Sequence, residues 1–245
     1  MNFLKSLFVQ NILTVLNYFL EALSVEEENS AEVVCFATQL AHLVGENGRI
    51  YAFEPIPEKF FLLLEKLTKG RLAQVSAFNV CCSRANGVVN FVYLPTDPGK
   101  SAIHVRKSHE GEQMEKIVRP CLAVRLDDFL RDIDQLEFIK MDIEGAELAA
   151  MIGASEIISR ARPVIHMEIG PPSLEAFGNE PGDIFEFLQR SGYEIMDIFG
   201  ISLPTIEQYL ESVGARGAYD SFAVPVGDPR KSLVQEVSAA MWKTD

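Results

Sequence analysis

Apolar and polar positions alternate along the chain in short blocks that change period from two to 3.6 and back. "GRIYAFEP" (48–55) is a β-rich run closed by proline, and "EKFFLLLEKLTKG" (58–70) has helical spacing with a glycine stop. Two further strands, "VSAFNVCCS" (75–83) and "GVVNFVYLP" (87–95), flank a turn at Asn86-Gly87, and "LDDFLRDI" (126–133) reads as a short helix. After it come the strand "LEFIKMDI" (136–143), the helix "AELAAMIGASEIISRA" (146–161), the strand "RPVIHMEIG" (162–170) and the helix "GDIFEFLQRSGY" (182–193). Strands that alternate with helices of this length predict parallel βαβ units with both sheet faces covered.

The two ends break this rhythm. "YEIMDIFG" (193–200) and "YDSFAVPV" (219–226) are strands with no comparably strong helical pattern between them, which predicts an antiparallel, hairpin-like pair at the sheet edge. At the other end, Asn2, Ser6, Gln10, Asn17, Glu21 and Ser24 recur at helical spacing. Residues 1–27 are therefore expected to form an amphipathic helix packed on the domain, with a membrane-surface helix as the alternative. Polar interruptions and the absence of a small-residue cleavage site argue against a signal or an anchor there. The polar stretch 95–120 is long for a connection inside a compact domain and reads as a lid, a binding loop or disorder. Residues after Pro225 read as a surface helix or a frayed end.

Composition narrows the function classes. At 245 residues and 48% hydrophobic content the chain can bury a large core as one domain. A net charge of −13, with no basic run, repels phosphate backbones and anionic lipid, so nucleic acid is not an expected partner and a membrane is disfavoured. Cys35, Cys81, Cys82 and Cys121 have no CxxC or metal-ligand spacing and read as reduced thiols of a cytosolic protein, with no metal site. His42, His104 and His109 likewise lack metal spacing.

Three strands end in an acid: Glu54, Asp142 and Glu168. In open α/β sheets ligands bind at the carboxyl ends of the strands, and an acid after the second strand suits the vicinal hydroxyls of a ribose. Each acid also has a plainer reading, because Asp142 and Glu144 stand where a helix N-terminus favours negative charge. Lys140, within the same strand, is expected to form a structural ion pair with one of the acids.

"GENGRIYAFEPIPEKFFLLLEKL", "FNVCCSRANGVVNFVYLP", "LDDFL", "FIKMDIEGAEL" and "RPVIHMEIG" follow one another as in the FkbM-type S-adenosylmethionine-dependent methyltransferases, which the chain resembles over roughly residues 36–226. That resemblance implies a Rossmann-like seven-stranded methyltransferase sheet, mostly parallel with an antiparallel last strand, in a domain spanning 28–228 and followed by a tail at 229–245. It implies S-adenosylmethionine as cofactor and methyl transfer, to oxygen by expectation, on a small or glycan-like acceptor. Carried over, Glu54 would hold the cofactor ribose, Cys82 and Ser83 would lie in the loop flanking the adenine, and Asp142 would lie near the methionine part and the methyl group. Asp142, Glu144 or Glu168 would orient or deprotonate the acceptor. As acids at exposed strand ends they are expected to contribute little to stability.

One element of that pattern is missing. The family's first strand is followed by a D-x-G-A-N-x-G turn, and counting back places "ENSAEVV" (28–34) there, with Ser30, Glu32 and Val34 instead of Gly, Asn and Gly. The preceding "EALSVE" is a poor central strand, and the first glycine of the chain is Gly45. The expectations are weak cofactor binding and an N-terminal segment, 1–27, that is either helical or replaced; the alternative function is a non-catalytic methyltransferase-like binding or regulatory protein.

Overall fold

The computed structural model describes residues 11–16, 32–104, 115–214 and 217–241. In chain order the strands are β1 (Asn11–Leu16), β2 (Arg49–Phe53), β3 (Val75–Phe78), β4 (Cys81–Cys82), β5 (Gly87–Tyr93), β6 (Ile117–Val124), β7 (Phe138–Asp142), β8 (Val164–Glu168), β9 (Tyr193–Asp197) and β10 (Asp220–Pro225). The helices are α1 (Glu32–Val44), α2 (Pro57–Gly70), α3 (Leu126–Phe129), α4 (Glu147–Gly153), α5 (Ser155–Ala161), α6 (Pro171–Ala176), α7 (Pro181–Arg190), α8 (Ile206–Gly214) and α9 (Arg230–Met241).

One sheet runs β3-β2-β1-β7-β8-β10-β9, and β4-β6-β5 form a smaller one beside it. The pairs from β3 to β8 are parallel, and β10 lies antiparallel to both β8 and β9. Of the parallel strands, β2, β7 and β8 lead directly into helices, whereas β3 leads into β4 of the smaller sheet; the residues dictate the helix starts locally. Proline opens α2, α6 and α7 at positions where a missing N–H costs nothing. In the first turn of α7, the Glu180 N–H donates to Asp183 Oδ2 at 2.8 Å.

The pleat sorts side chains between two cores. Phe53, Ile139, Met141, Ile165, Met167 and Ala223 pack with Leu148, Met151, Ile157 and Leu188 on one face. Ile50, Ala52, Phe138, Val164 and Val224 pack with Leu40, Leu63, Leu67 and Val234 on the other. Lys140 and Asp142 follow Phe138 at two-residue steps, so they share its face, as His166 and Glu168 share that of Val164.

Several expectations are corrected. Residues 11–16, expected in an amphipathic helix, form the central strand β1, paired on both sides with parallel neighbours. A slot between two strands gives residues 12–15 of "NILTVL" backbone partners on both sides, and Ile12, Thr14 and Val15 are β-branched. "VSAFNVCCS" is not one strand: it splits into β3 and β4, which belong to different sheets. The helix foreseen at 146–161 breaks at Ala154 into α4 and α5. Strands β9 and β10 are antiparallel neighbours, but α8 lies between them in sequence and β10 is inserted inside β9, so only β9 is at the edge. Of the two readings of the tail the helix holds: Arg230–Met241 form α9, with Val234 in the second core. Residues 105–114, the middle of the long polar segment, and with them His109, lie outside the described residues, as do 28–31 of the expected glycine turn. No helix among the described residues is long and apolar enough to cross a membrane.

Candidate functional site

Sheet register assembles the site. Val15 pairs with Phe53, Leu16 with Asp142, Met141 with Met167 and Asp220 with Glu168. Extended by one residue, this register forms a single cross-strand row at the carboxyl edge: Glu54, Leu16, Asp142, Glu168 and Asp220. Adjacent strands lie about 4.8 Å apart, so Asp142, Glu168 and Asp220 are immediate neighbours and Glu54 stands two strands away. The three acids expected at one edge are there, on one face.

Glu54 is fully buried. Its Oε1 accepts the Ile56 N–H at 2.7 Å, and its backbone carbonyl accepts Asn79 Nδ2 at 2.8 Å, fixing the turn in which Pro55 ends β2. Oε2 is buried with no hydrogen-bond donor. Burial pushes the carboxyl up to about 8, against the opposing charge of Lys59 and with a further upward push from Cys121. A buried carboxyl with one satisfied and one orphaned oxygen keeps an acceptor position for a hydroxyl donor, which a ribose supplies; on this observation the chemistry of the residues at β2 fits an S-adenosyl cofactor.

Cys82 and Ser83 are placed differently from the expectation. Cys82 ends β4 and its side chain is buried in the first core, not in a loop. Ser83 follows, half-buried, with its N–H bonded to Val124 O at 2.9 Å. Gly153 of α4 packs so closely on this strand end that a Cβ there would meet Ser83 O at 2.0 Å.

The edge at β7 and β8 is crowded with acids. Asp142 is 3% exposed and its Oδ2 lies 3.7 Å from Nζ of Lys140, which is fully buried. This is the ion pair expected of Lys140, but it lies inside the molecule. Burial holds the Asp142 carboxyl well above the usual range; Lys140 opposes this, while Glu168, Glu144 and Glu147 reinforce it. Residues 143–146 then turn sharply. Glu144 has φ 53° and Gly145 φ 100°, and a Cβ on Gly145 would sit 2.3 Å from Ser173 O, so only glycine fits against α6. Glu144 accepts Ser173 Oγ at 2.9 Å.

The capping role considered for Asp142 and Glu144 falls to Glu147. Its Oε1 accepts the N–H groups of Ile143 and Gly145 at 3.1 and 3.2 Å, while Oε2 is buried without a donor. Burial pushes Glu147 up to about 7 despite those backbone bonds. Asp142, Glu144, Gly145, Glu147, Glu168, Gly170 and Ser173 together line one small cleft.

Asp220 of the row, and His166 beside it on the same face, carry no signal of their own in the sequence pattern. His166 Nε2 lies 3.1 Å from Asp220 Oδ1, and its ring lies 4.6 Å from that of Phe222. Burial, with help from Lys140, lowers the affinity of His166 for a proton; Asp220 works the other way. Strand alternation was the available signal, since His166 stands two residues before Glu168 in "VIHME" and must share its face.

Glu32 and Val34, assigned to the glycine turn by counting back, lie in α1. The connection that follows β1 directly is 17–31, outside the described residues and without glycine in its sequence.

The sequence profile described as "Methyltransferase FkbM domain" matches residues 28–195. Among solved structures, a methyltransferase FkbM from Methylobacillus flagellatus KT is similar with a TM-score of 0.51 at 15% identity. The match covers 87% of this chain and 43% of that one, so the chain spans less than half the length of that relative. A SAM dependent methyltransferase from Aquifex aeolicus matches at 13% identity with a TM-score of 0.42, over 90% of this chain and 85% of that one. No curated protein matches the sequence. At these identities the first structure shows a shared fold, an α/β methyltransferase architecture.

Proposed function

This chain belongs to the FkbM methyltransferase family, and from that premise we propose that it transfers the methyl group of S-adenosylmethionine to a hydroxyl of a small or glycan-like acceptor at the carboxyl edge of its sheet. The observation that carries the reading is the single row Glu54, Asp142, Glu168 on one face of that edge, with an orphaned buried oxygen on Glu54.

Glu54 would accept a ribose hydroxyl at Oε2, while Pro55 and the Ile56 N–H keep its side chain in place. Ser83, half-buried where β4 ends, would flank the adenine, whereas Cys82 belongs to the core beneath it. The bound cofactor supplies an electrophilic methyl carbon on a sulfonium. Methyl transfer is an in-line displacement, so the residues around Asp142 have to orient an acceptor oxygen and exclude water. Asp142, held by Lys140, and Glu144, held by Ser173, are positioned carboxylates; Glu168 stands beside Asp142 in the row. A carboxylate whose proton affinity burial has raised is a stronger base once ionised, which suits removal of a hydroxyl proton.

A second reading has its own observation. No glycine occurs before Gly45, so the connection after β1 has to approach any cofactor with side chains in place, which favours a chain that keeps the fold without catalysis. Calorimetric titration with S-adenosylmethionine and S-adenosylhomocysteine separates the two. Saturable binding that Glu54→Gln weakens supports the enzyme; no heat at millimolar ligand supports the non-catalytic protein.

A further inference from the structure

The acids at β7 and β8 are more numerous than proton transfer requires. One base suffices to deprotonate a hydroxyl, yet Asp142, Glu144, Glu147 and Glu168 all line the same cleft. Two of them bring buried oxygens that accept no hydrogen bond: Oε2 of Glu147, a residue 1% exposed, and Oδ2 of Asp142, whose neighbour Lys140 is 3.7 Å away. Orphaned acceptors inside a protein are costly, and a cluster of them on a cleft wall is compensated by a donor that arrives with the ligand.

The size and shape of the cleft limit that donor. Its free volume is about 10 Å³, the room of roughly one water molecule. The wall cannot retreat, because Gly145 already lies against Ser173 and Glu144 is tied to the Ser173 hydroxyl. Among the described residues, no three potential ligands converge as a metal ion requires. An ammonium group is water-sized, carries three donors and brings the positive charge that a set of carboxylates lacks. We propose that the acceptor is a polyhydroxylated molecule bearing a protonated amine, such as an amino sugar, whose ammonium is held in the Asp142–Glu144–Glu147–Glu168 cleft while a neighbouring hydroxyl is methylated.

The proposal rests on the methyltransferase reading and completes its chemistry. With the ammonium fixed, the acceptor hydroxyl loses its proton to a carboxylate of the row and its oxygen forms a bond to the methyl carbon. The carbon–sulfur bond breaks with its electron pair remaining on sulfur, which leaves as a neutral thioether. Glu147 is then a positioning and specificity residue: it caps residues 143 and 145 with one oxygen and holds the amine with the other.

The test uses glucosamine, glucose and N-acetylglucosamine as probes, titrated by NMR into the whole chain, first alone and then with S-adenosylhomocysteine. The expected result is that glucosamine binds at least tenfold more tightly than either neutral sugar in both series. Glu147→Gln, which keeps the capping oxygen, should erase that preference, and so should Glu168→Gln, whereas Glu186→Gln on the exposed face of α7 should leave it. Three results overturn the proposal: equal binding of charged and neutral sugars, an amine preference that survives both cleft variants, or displacement of glucosamine by S-adenosylhomocysteine. The last would assign the cleft to the cofactor's own ammonium. Failure of S-adenosylhomocysteine to bind would count against the methyltransferase reading alone, because the first series reads the cleft without it.

Discussion

Glu54 and the Asp142–Glu168 group occupy the same row of the same sheet, yet they are built differently. No second carboxylate contributes to the raised proton affinity of Glu54: burial is its main cause, and the charge of Lys59 opposes it. At β7 and β8, by contrast, Asp142 feels three other carboxylates as well as burial, and it lies against a lysine placed wholly inside. A lone desolvated acid suits a neutral diol; crowded acids suit a cation and a proton in transit. Position along the sheet edge therefore sets where ligands go, while the number of neighbouring charges sets what kind of ligand each place accepts.

The largest effect that separates the two regions is structural. Asp142→Ala leaves the buried Lys140 without its acid, so urea unfolding should show a loss of about 3–5 kcal/mol, together with loss of turnover. This reverses the expectation that strand-end acids are dispensable for stability, because Asp142 is not exposed. Asp142→Asn should be milder. Unchanged stability in Asp142→Ala would mean that the pair is not a buried one. Next in size is Gly145→Ala, which combines a left-handed backbone with a contact of 2.3 Å to Ser173 O; a loss of about 2 kcal/mol is expected in the same assay, with no matching loss for Gly178→Ala beyond its left-handed backbone cost of about 1 kcal/mol.

The ease with which these features can be read from sequence varies in a physically consistent way. Strands β2, β7 and β8 were legible because apolar runs of strand length end abruptly in Pro55 or in acids, and parallel connections then force Glu54, Asp142 and Glu168 to one edge. Strand β1 was not, because "NILTVL" sits inside a longer apolar stretch whose polar residues also repeat at helical spacing; periodicity cannot separate the two, and only pairing with β2 and β7 selects the strand. The glycine turn, placed at 28–34 by counting back from "GENGRIYAFEP", falls instead where the chain enters α1 at Glu32. Burial of the acids was also hidden: a carboxylate following a strand reads as exposed until the packing of Lys140, His166 and Asp220 around it is known. Glu147 was visible in "DIEGAEL", but its two backbone bonds depend on the left-handed turn at Glu144 and Gly145.

A smaller effect isolates the solitary acid. A carboxyl whose folded proton affinity is raised binds more protons in the folded state, so its contribution to stability is complete below pH 4.5 and is lost as pH rises to about 8. Glu147 acts in the same direction up to about 7, and His166, lowered by burial, acts in the opposite one. The difference between wild type and Glu54→Gln removes those shared contributions: the variant should gain roughly 3 kcal/mol relative to wild type between pH 5 and pH 8. A difference that stays flat with pH would show that Glu54 is not desolvated as described.

Calorimetry of the unaltered chain with S-adenosylhomocysteine at pH 6, 7 and 8 decides whether this sheet edge is a cofactor site. A ribose hydroxyl that donates to Glu54 Oε2 is held best by the ionised carboxylate, so its binding competes with the proton that burial retains. The predicted result is one saturable site, weak because no glycine serves the connection after β1. Its affinity should rise by roughly tenfold per pH unit up to about 8, with proton release to the buffer that Glu54→Gln abolishes. No binding at any of the three pH values, or binding with no pH dependence and no sensitivity to Glu54→Gln, would contradict the assignment of this sheet edge as a cofactor site.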